Sequence, residues 1–400
     1  MNIQRIHIEY FKSHLKTDFE PGNVNVFVGA NGSGKTSLLE AIGLLSAVFN
    51  GRVDAQSLRD RGVRLGIPAI YKTALKSQDK ISNMIHLELD WEHEKSAWEY
   101  TVSLNNPIDK PDPFWSYYTE SLRLKDRSEP VFSYAPRTGM KYKDYSMQPD
   151  ISALSVAAGD AELPTLGASR RIFGDYAIFT PSSSVLQGMQ SDQMQKNPIG
   201  LSGGRLTESV EELLKKESGK FGDIDIADLN DLIDWADGVS TGFPSKEILS
   251  PDIPAPKRII RFTDRYMSAK RNTISAYDAS EGALYVLFIL SLIMHDDAPL
   301  VCSVDNFDQG LNPRLVRRLT SLVCELAIAR GKTMFLTSHN PLVLDGLDIR
   351  NDRIRLFAVD RKPDGSSIIS RVRVGEMVDL TKDSLSRLWL SGRLGGMPSL

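Results

Sequence analysis

"GANGSGKTSLLEAIGLL", residues 29–45, decides how the rest of this chain is read. It fulfils G-x-x-x-x-G-K-[ST] at Gly29, Gly34, Lys35 and Thr36, after the strand-like run "NVNVFV" and before an apolar stretch of helical period. Each residue type has a physical reason. Glycines let successive backbone N–H groups curl around a phosphate with no Cβ in the way, and a helix starting near Lys35 points its positive end at the anion. The Lys35 ammonium adds a point charge on the outer phosphates, and the Thr36 hydroxyl is placed to ligate Mg²⁺. Asn31, Gly32, Ser33 and Ser37 complete the loop expected around the nucleotide. ATP and Mg²⁺ are the expected cofactors. The alternative, a chance Gly-rich turn, would have to reproduce eight positions in the right strand–loop–helix context.

Composition bounds what such a loop can serve. The 400 residues allow roughly two or three compact units. A net charge of −3 excludes a protein that coats nucleic acid over its whole surface, so any DNA or RNA contact must be local. Cys302 and Cys324 both lie in apolar segments, without CxxC or Cys/His ligand spacing, which points to a reducing compartment. "MNIQRIHIEYFKSH" has no apolar leader segment, and "ALYVLFILSLIM", residues 283–294, is shorter than the about 20 residues of a membrane span. The expectation is a cytoplasmic protein with no membrane partner, in which 283–294 is a buried helix.

Two further apolar strands deliver polar residues to their ends. "PLVCSVD" ends at Asp305, where a carboxylate can hold a metal-bound water, and "KTMFLTSHNP" ends at His339, whose ring can hydrogen-bond a terminal phosphate. Taken singly, an Asp can merely end a strand and a His can be an ordinary loop residue. Together with the phosphate loop they form a set. "IHIEYFKSH", "VFVGANGSGKTSLLEAI", "SEGALYVL", "SVDNFDQGLNP", "LTSHNPLVLDGLD" and "LSRLWLSGRLGGMP" resemble the RecF/SMC/OLD-type branch of ABC ATPases, in particular its short bacterial AAA ATP-binding proteins. The resemblance covers about residues 1–50 and 255–400.

That resemblance implies an α/β P-loop ABC-ATPase head, with a mixed or parallel sheet core and an antiparallel β lobe. It implies a dimer closed around two ATP molecules, the signature loop of one subunit meeting the phosphate held by the other. Asp305 takes the Walker B role, Asp308 a dimer-contact or substitute carboxylate role, His339 the switch role, and Lys12 a nucleotide contact from the loop after the first strand. Asn306 stands where relatives carry a catalytic Glu. An amide can hold a water but cannot take its proton, so ATP hydrolysis is expected to be weak. Asn312 replaces a His that relatives often carry.

Two stretches compete for the signature. "LSGGR", residues 201–205, has the letters, but Ser202 lies about a hundred residues before Asp305, whereas a signature helix should run directly into the Walker B strand. Ser280 lies about 25 residues before Asp305. Ser280 as N-cap, Glu281 in the first turn and Gly282 ahead of the apolar helix are therefore assigned to the signature. "LSGGR" then only turns the chain into the amphipathic helix "LTESVEELLKK".

Three regions follow: 1–150, an ATPase lobe with the phosphate loop and antiparallel strands; 151–255, a mainly helical insertion in place of a coiled coil; and 256–400, the second ATPase lobe. Residues 81–104 read as a strand pair turning at "HEKS". "KRIIRFTDRYMSAKR", 257–271, carries six basic residues and one acidic, and reads either as a local nucleic-acid face or as a strand whose arginines pair with carboxylates. The Q-loop glutamine has no placed candidate beyond Gln56 and Gln78. By resemblance, the chain is expected to be an ATP-dependent homodimeric switch controlling a separately encoded nuclease or toxin in anti-phage defence. The alternatives are a DNA-stimulated ATPase of the RecF type and, with less sequence support, a transporter subunit.

Overall fold

The computed structural model describes residues 1–78, 82–135, 141–143, 145–146, 148–250, 252–253, 257–374 and 383–397. Pro398 of the tail motif and part of the 105–150 stretch lie outside the described residues. The chain opens with a hairpin, β1 (Asn2–Phe11) and β2 (His14–Phe19), then β3 (Val24–Val28) and α1 (Lys35–Phe49). Short α2 (Ala55–Arg59) and α3 (Pro68–Tyr71) precede β4 (Met84–His93), β5 (Ser96–Asn105), β6 (Ser116–Leu124), β7 (Phe132–Tyr134) and the small pair β8 (Lys141–Tyr142) and β9 (Tyr145–Ser146). Next come α4 (Ala153–Ala157), α5 (Pro164–Gly174), β10 (Ile178–Phe179), α6 (Ser183–Leu186), α7 (Leu206–Lys216), β11 (Lys220–Phe221), β12 (Ile224–Asp225) and α8 (Ile226–Leu232). A small sheet of β13 (Ala236–Gly242), β14 (Ile259–Asp264) and β15 (Thr273–Ser275) leads to α9 (Glu281–Met294). The chain ends with β16 (Val301–Val304), α10 (Pro313–Ala329), β17 (Thr333–Ser338), α11 (Pro341–Leu344), the hairpin β18 (Ile354–Arg361) and β19 (Ser367–Val372), and α12 (Leu385–Leu390).

Two sheets divide the work. One is antiparallel in the order β2-β1-β4-β5-β6-β7, and the other runs β10-β16-β17-β3-β18-β19, parallel except for β19. Strands of a parallel sheet are covered on both faces, which is why β3, β16 and β17 are buried along their whole length and carry little alternation. On one face, α1 fills the space between the sheets, with Phe27 stacked near Phe335 and Phe357 and the helix residues Leu38 to Phe49 in the same core. On the other, Val24, Val26 and Val28 pack with α9 and α10. Every residue of α9 from Ala283 to Met294 is buried. No described helix is long and apolar enough to cross a membrane.

The fold is the expected α/β head of a P-loop ABC-type ATPase. The middle of the chain, read as a mainly helical insertion, also contributes strands and packs into the core. β10 is the edge strand of the core sheet, paired with Ser303 and Val304 of β16, and the buried residues of α7 and α8 belong to the same apolar core as α9. A two-residue strand is too short to show a period, so its place in the core could not be read from the letters. The strand pair turning at Glu94 and Lys95 forms as expected, within the antiparallel sheet.

Candidate nucleotide site

A cavity of about 600 Å³ opens over the loop between β3 and α1, lined among others by Lys12, Asn31, Gly32, Gly34, Lys35, Thr36, Ser37, Asn306 and His339. Gly34 occupies the N-cap position of α1 with φ 113°, and an added Cβ would meet Ser367 Oγ at 2.3 Å, so only glycine fits. Around Gly32, φ +75°, an added Cβ would have nothing within 4 Å, leaving open space beside the loop. Ser33 Oγ is buried and has no partner. Loop curvature, open space and an orphaned hydroxyl together fit a phosphate chain.

Lys35 Nζ donates to the carbonyls of Gly29 (2.7 Å) and Ala30 (3.0 Å) and lies 3.5 Å from His339 Nδ1. Burial pulls its pKa down to about 8, with Asp305 and Asp308 offsetting only part of the effect. Thr36 Oγ1 donates to the Asp305 carboxylate at 2.9 Å, and Thr337 Oγ1 donates to the same carboxylate at 2.5 Å. A hydroxyl beside a carboxylate is the oxygen set a hard divalent cation takes alongside phosphate oxygens, so Thr36 and Asp305 are the residues that could hold Mg²⁺. Asn306 has φ 56°; its N–H donates to Thr337 Oγ1 and its carbonyl accepts from the Tyr285 hydroxyl. His339 is exposed at the rim, and partial desolvation of its ring together with the Lys35 charge keeps its pKa below the ordinary value. Asp308 accepts from the His339 N–H at 3.4 Å without lining the cavity.

Several supporting residues carry no sequence motif. His14 is fully buried beneath the loop, with Nε2 3.0 Å from the Gly34 carbonyl and Nδ1 2.9 Å from Thr17 Oγ1. Burial lowers its pKa to about 4, so the neutral ring donates through Nε2 and accepts through Nδ1. Ser367 Oγ donates to the Ser33 carbonyl from the far end of the chain. Glu40, buried on α1, receives Lys12 Nζ and Arg64 Nε, and both cations line the cavity. Lys72 and Arg361 add positive charge to the wall. The "LLEAI" run placed Glu40 on an apolar helix, and a carboxylate at such a position was the available signal for buried cationic partners.

Ser280, Glu281 and Gly282 do not line this cavity. Ser280 is exposed, and its hydroxyl accepts from the Ala283 N–H at the start of α9. "LSGGR" is a part-buried loop wrapped around Asp192, whose carboxylate accepts from the N–H groups of Met194, Ser202 and Gly204. Three of the six basic residues of 257–271 are paired with other parts of the chain: Arg258 with Glu211, Arg265 with Asp237, and Arg261 with the Phe243 carbonyl. Neither Gln56, bonded to Asp60, nor Gln78, bonded to the Leu75 N–H, lines the cavity.

Residues 5–219 match the family model described as an AAA domain. Residues 210–345 match a second, described as "AAA domain, putative AbiEii toxin, Type IV TA system". Stretches of the chain are similar to proteins called DNA replication and repair protein RecF. The Heliobacterium modesticaldum protein is 58% identical over 48 residues, 12% of this chain and 13% of that protein. The Streptomyces avermitilis protein is 33% identical over 92 residues, 22% of this chain and 24% of that protein. The matches thus span less than a third of those relatives' length. In fold the chain is similar to the SmcHead bound to the C-winged helix domain of ScpA, with TM-score 0.50, 13% identity, and coverage of 94% of this chain and 99% of that one. The Smc head domain with an extended coiled coil from Pyrococcus furiosus gives TM-score 0.50 at 14% identity, covering 93% and 96%. With the phosphate loop, the Asp305 strand and the His339 strand side by side in one sheet, the chain belongs to the AAA domain family, as an ABC-type ATPase of the RecF/SMC kind.

Proposed function

We propose that the chain is an ATP-dependent homodimeric switch, in which ATP and Mg²⁺ bind at Gly29–Ser37 with Asp305, and Ser280 and Gly282 of a second copy close the site. The observation that carries this reading is the separation of the two halves. The phosphate loop lies in an open cavity, while the capped N-terminus of α9, with Ser280 and Glu281 exposed, lies outside that cavity's lining in the same chain. A second copy related by a two-fold axis would bring each half to the other, as a self-complementary interface does. Asn306 supports slow turnover, because the amide beside Asp305 has no proton-accepting group for a water. A long-lived ATP-closed state suits a switch better than a motor.

The controlled partner is a separately encoded nuclease or toxin in anti-phage defence. The family description that includes a putative AbiEii toxin supports that direction. Sedimentation of the purified protein with ATP and Mg²⁺, against ADP, tests the switch: a dimer that forms only with ATP and is lost in Lys35→Ala is expected. A Lys35→Ala protein that binds and dimerises normally would refute it.

The RecF matches favour a second reading, a DNA-stimulated ATPase. Phosphate release with and without duplex DNA separates the two: stimulation on the order of tenfold or more supports the second reading, and none supports the first.

A further inference from the structure

The Ser280 hydroxyl has two acceptor lone pairs and one donor hydrogen. One lone pair accepts from the Ala283 N–H at 3.3 Å, as in any helix N-cap. The other accepts from a residue without a motif: the indole Nε1–H of Trp235, at 3.2 Å. With both lone pairs filled, the hydroxyl has only its own O–H to offer, and among the described residues no acceptor is paired with it. An exposed hydroxyl that can only donate is matched to an anion.

Trp235 is held for this task. It lies just before β13, half-buried, with its ring against buried Phe262 of β14 at a centroid distance of 5.3 Å. Its carbonyl accepts from the Arg265 N–H at 3.0 Å, which ties the backbone to the same small sheet. The indole is therefore fixed by the β13–β15 sheet and not by α9. A tryptophan N–H can only donate, so it cannot compete with an incoming phosphate oxygen for the hydroxyl proton.

We propose that Trp235 is a positioning residue for the contact Ser280 makes with the terminal phosphate held by a second copy of the chain, turning the hydroxyl into a committed donor. The inference rests on the trans closure proposed above. It also assigns the β13–β15 sheet a purpose: any movement of that sheet relative to α9 withdraws the indole and returns the hydroxyl to a rotor that can present a lone pair to the phosphate.

Trp235→Phe keeps the ring on Phe262 and removes only the donor. In the full-length chain, nucleotide affinity of dilute monomer is measured with a fluorescent ATP analogue, and ATP-dependent association by sedimentation, for the wild type, W235F, S280A and the double variant. Monomer affinity should stay within about twofold, which also shows that W235F has folded. Association should weaken about fivefold for each of the two sites of a dimer, hence about 25-fold in the dimer constant. W235F should add nothing to S280A, since it acts through that hydroxyl. Wild-type association by W235F, or a full further loss on top of S280A, would overturn the proposal while leaving the trans reading intact. An unchanged association of S280A would instead overturn the trans reading itself.

Discussion

Replacing Lys35 with Met should change stability in a way that depends on pH, because the nucleotide-free protein carries a desolvated ammonium. Lys35 is only 5% exposed and is drawn from 10.5 to about 8 by burial, against which Asp305 and Asp308 compensate incompletely. At about 1.36 kcal/mol per tenfold, that displacement corresponds to about 3 kcal/mol, and the water reaching the open cavity reduces it to about 2 kcal/mol. The sign follows from proton counts. Between pH 8 and 10.5 the unfolded chain still holds the lysine proton while the folded chain has released it, so wild-type stability rises with pH relative to a variant lacking the group. Urea unfolding without nucleotide, from pH 7 to 10.5, should show wild type gaining about 2 kcal/mol on Lys35→Met across that window. The offset from the lost bonds to the Gly29 and Ala30 carbonyls is the same at every pH and drops out of the slope. A difference that stays flat with pH would refute the reasoning. At pH 7 with ATP and Mg²⁺ at a hundred times Kd, wild type alone should gain about 2.7 kcal/mol.

Three other outcomes test neighbouring residues. Asn306→Glu should raise ATP turnover, measured as phosphate release, while costing about 1 kcal/mol, because the position has φ 56°, which asparagine tolerates better than glutamate; unchanged turnover would show that another group is limiting. Glu40→Ala takes the buried carboxylate away from part-buried Lys12 and should cost about 3 kcal/mol in a urea melt at pH 7. Burial alone would push the Glu40 carboxyl up, but the hydrogen bonds from Arg64 and Lys12 and their charges outweigh it, so its contribution is present above its ordinary 4.5 and is lost as pH falls below that value. The wild-type advantage over Glu40→Ala should therefore shrink in acid. Asp192→Ala leaves the N–H groups of Met194, Ser202 and Gly204 without their acceptor and should cost about 3 kcal/mol, with nucleotide affinity of the remaining folded protein unchanged.

What the letters disclosed and what they hid divide along a physical line. The phosphate loop, the Asp305 strand and the cap at Ser280 are local: each needs a few consecutive residue types whose backbone geometry brings the chemistry with it. His14, Glu40, Ser367 and Trp235 act across distances in the chain that no period or spacing encodes. Ser367 reaches the Ser33 carbonyl from more than three hundred residues away, because the β18–β19 hairpin extends the core sheet beside β3. β10 escaped for a related reason: its place is fixed by pairing with β16, not by its own two residues.

The two serine–glycine stretches show why similarity of letters misleads and hydrogen-bond supply does not. An anion site is built from N–H groups that the chain itself leaves unanswered. In 201–205 four of the five are answered: Ser202 and Gly204 donate to the Asp192 carboxylate, Leu201 to the Met194 carbonyl and Arg205 to that of Ile199. The glycines serve that internal anion, since a Cβ at Gly204 would come within 2.3 Å of the Asp192 Cβ and one at Gly200 within 2.4 Å of its carboxylate. The loop is a cradle already filled by the chain's own side chain. At 280–282 the supply is open. Glu281 and Gly282 sit in the first turn of α9, where a helix has no internal acceptor for its N–H groups, and the Ser280 hydroxyl accepts from both the Ala283 N–H and the Trp235 indole, leaving its own O–H to donate. Under the trans closure proposed above, a phosphate delivered by a second copy would meet the open N–H groups and the Ser280 hydroxyl at the start of α9, whereas the backbone N–H groups of Ser202 and Gly204 are already committed to Asp192.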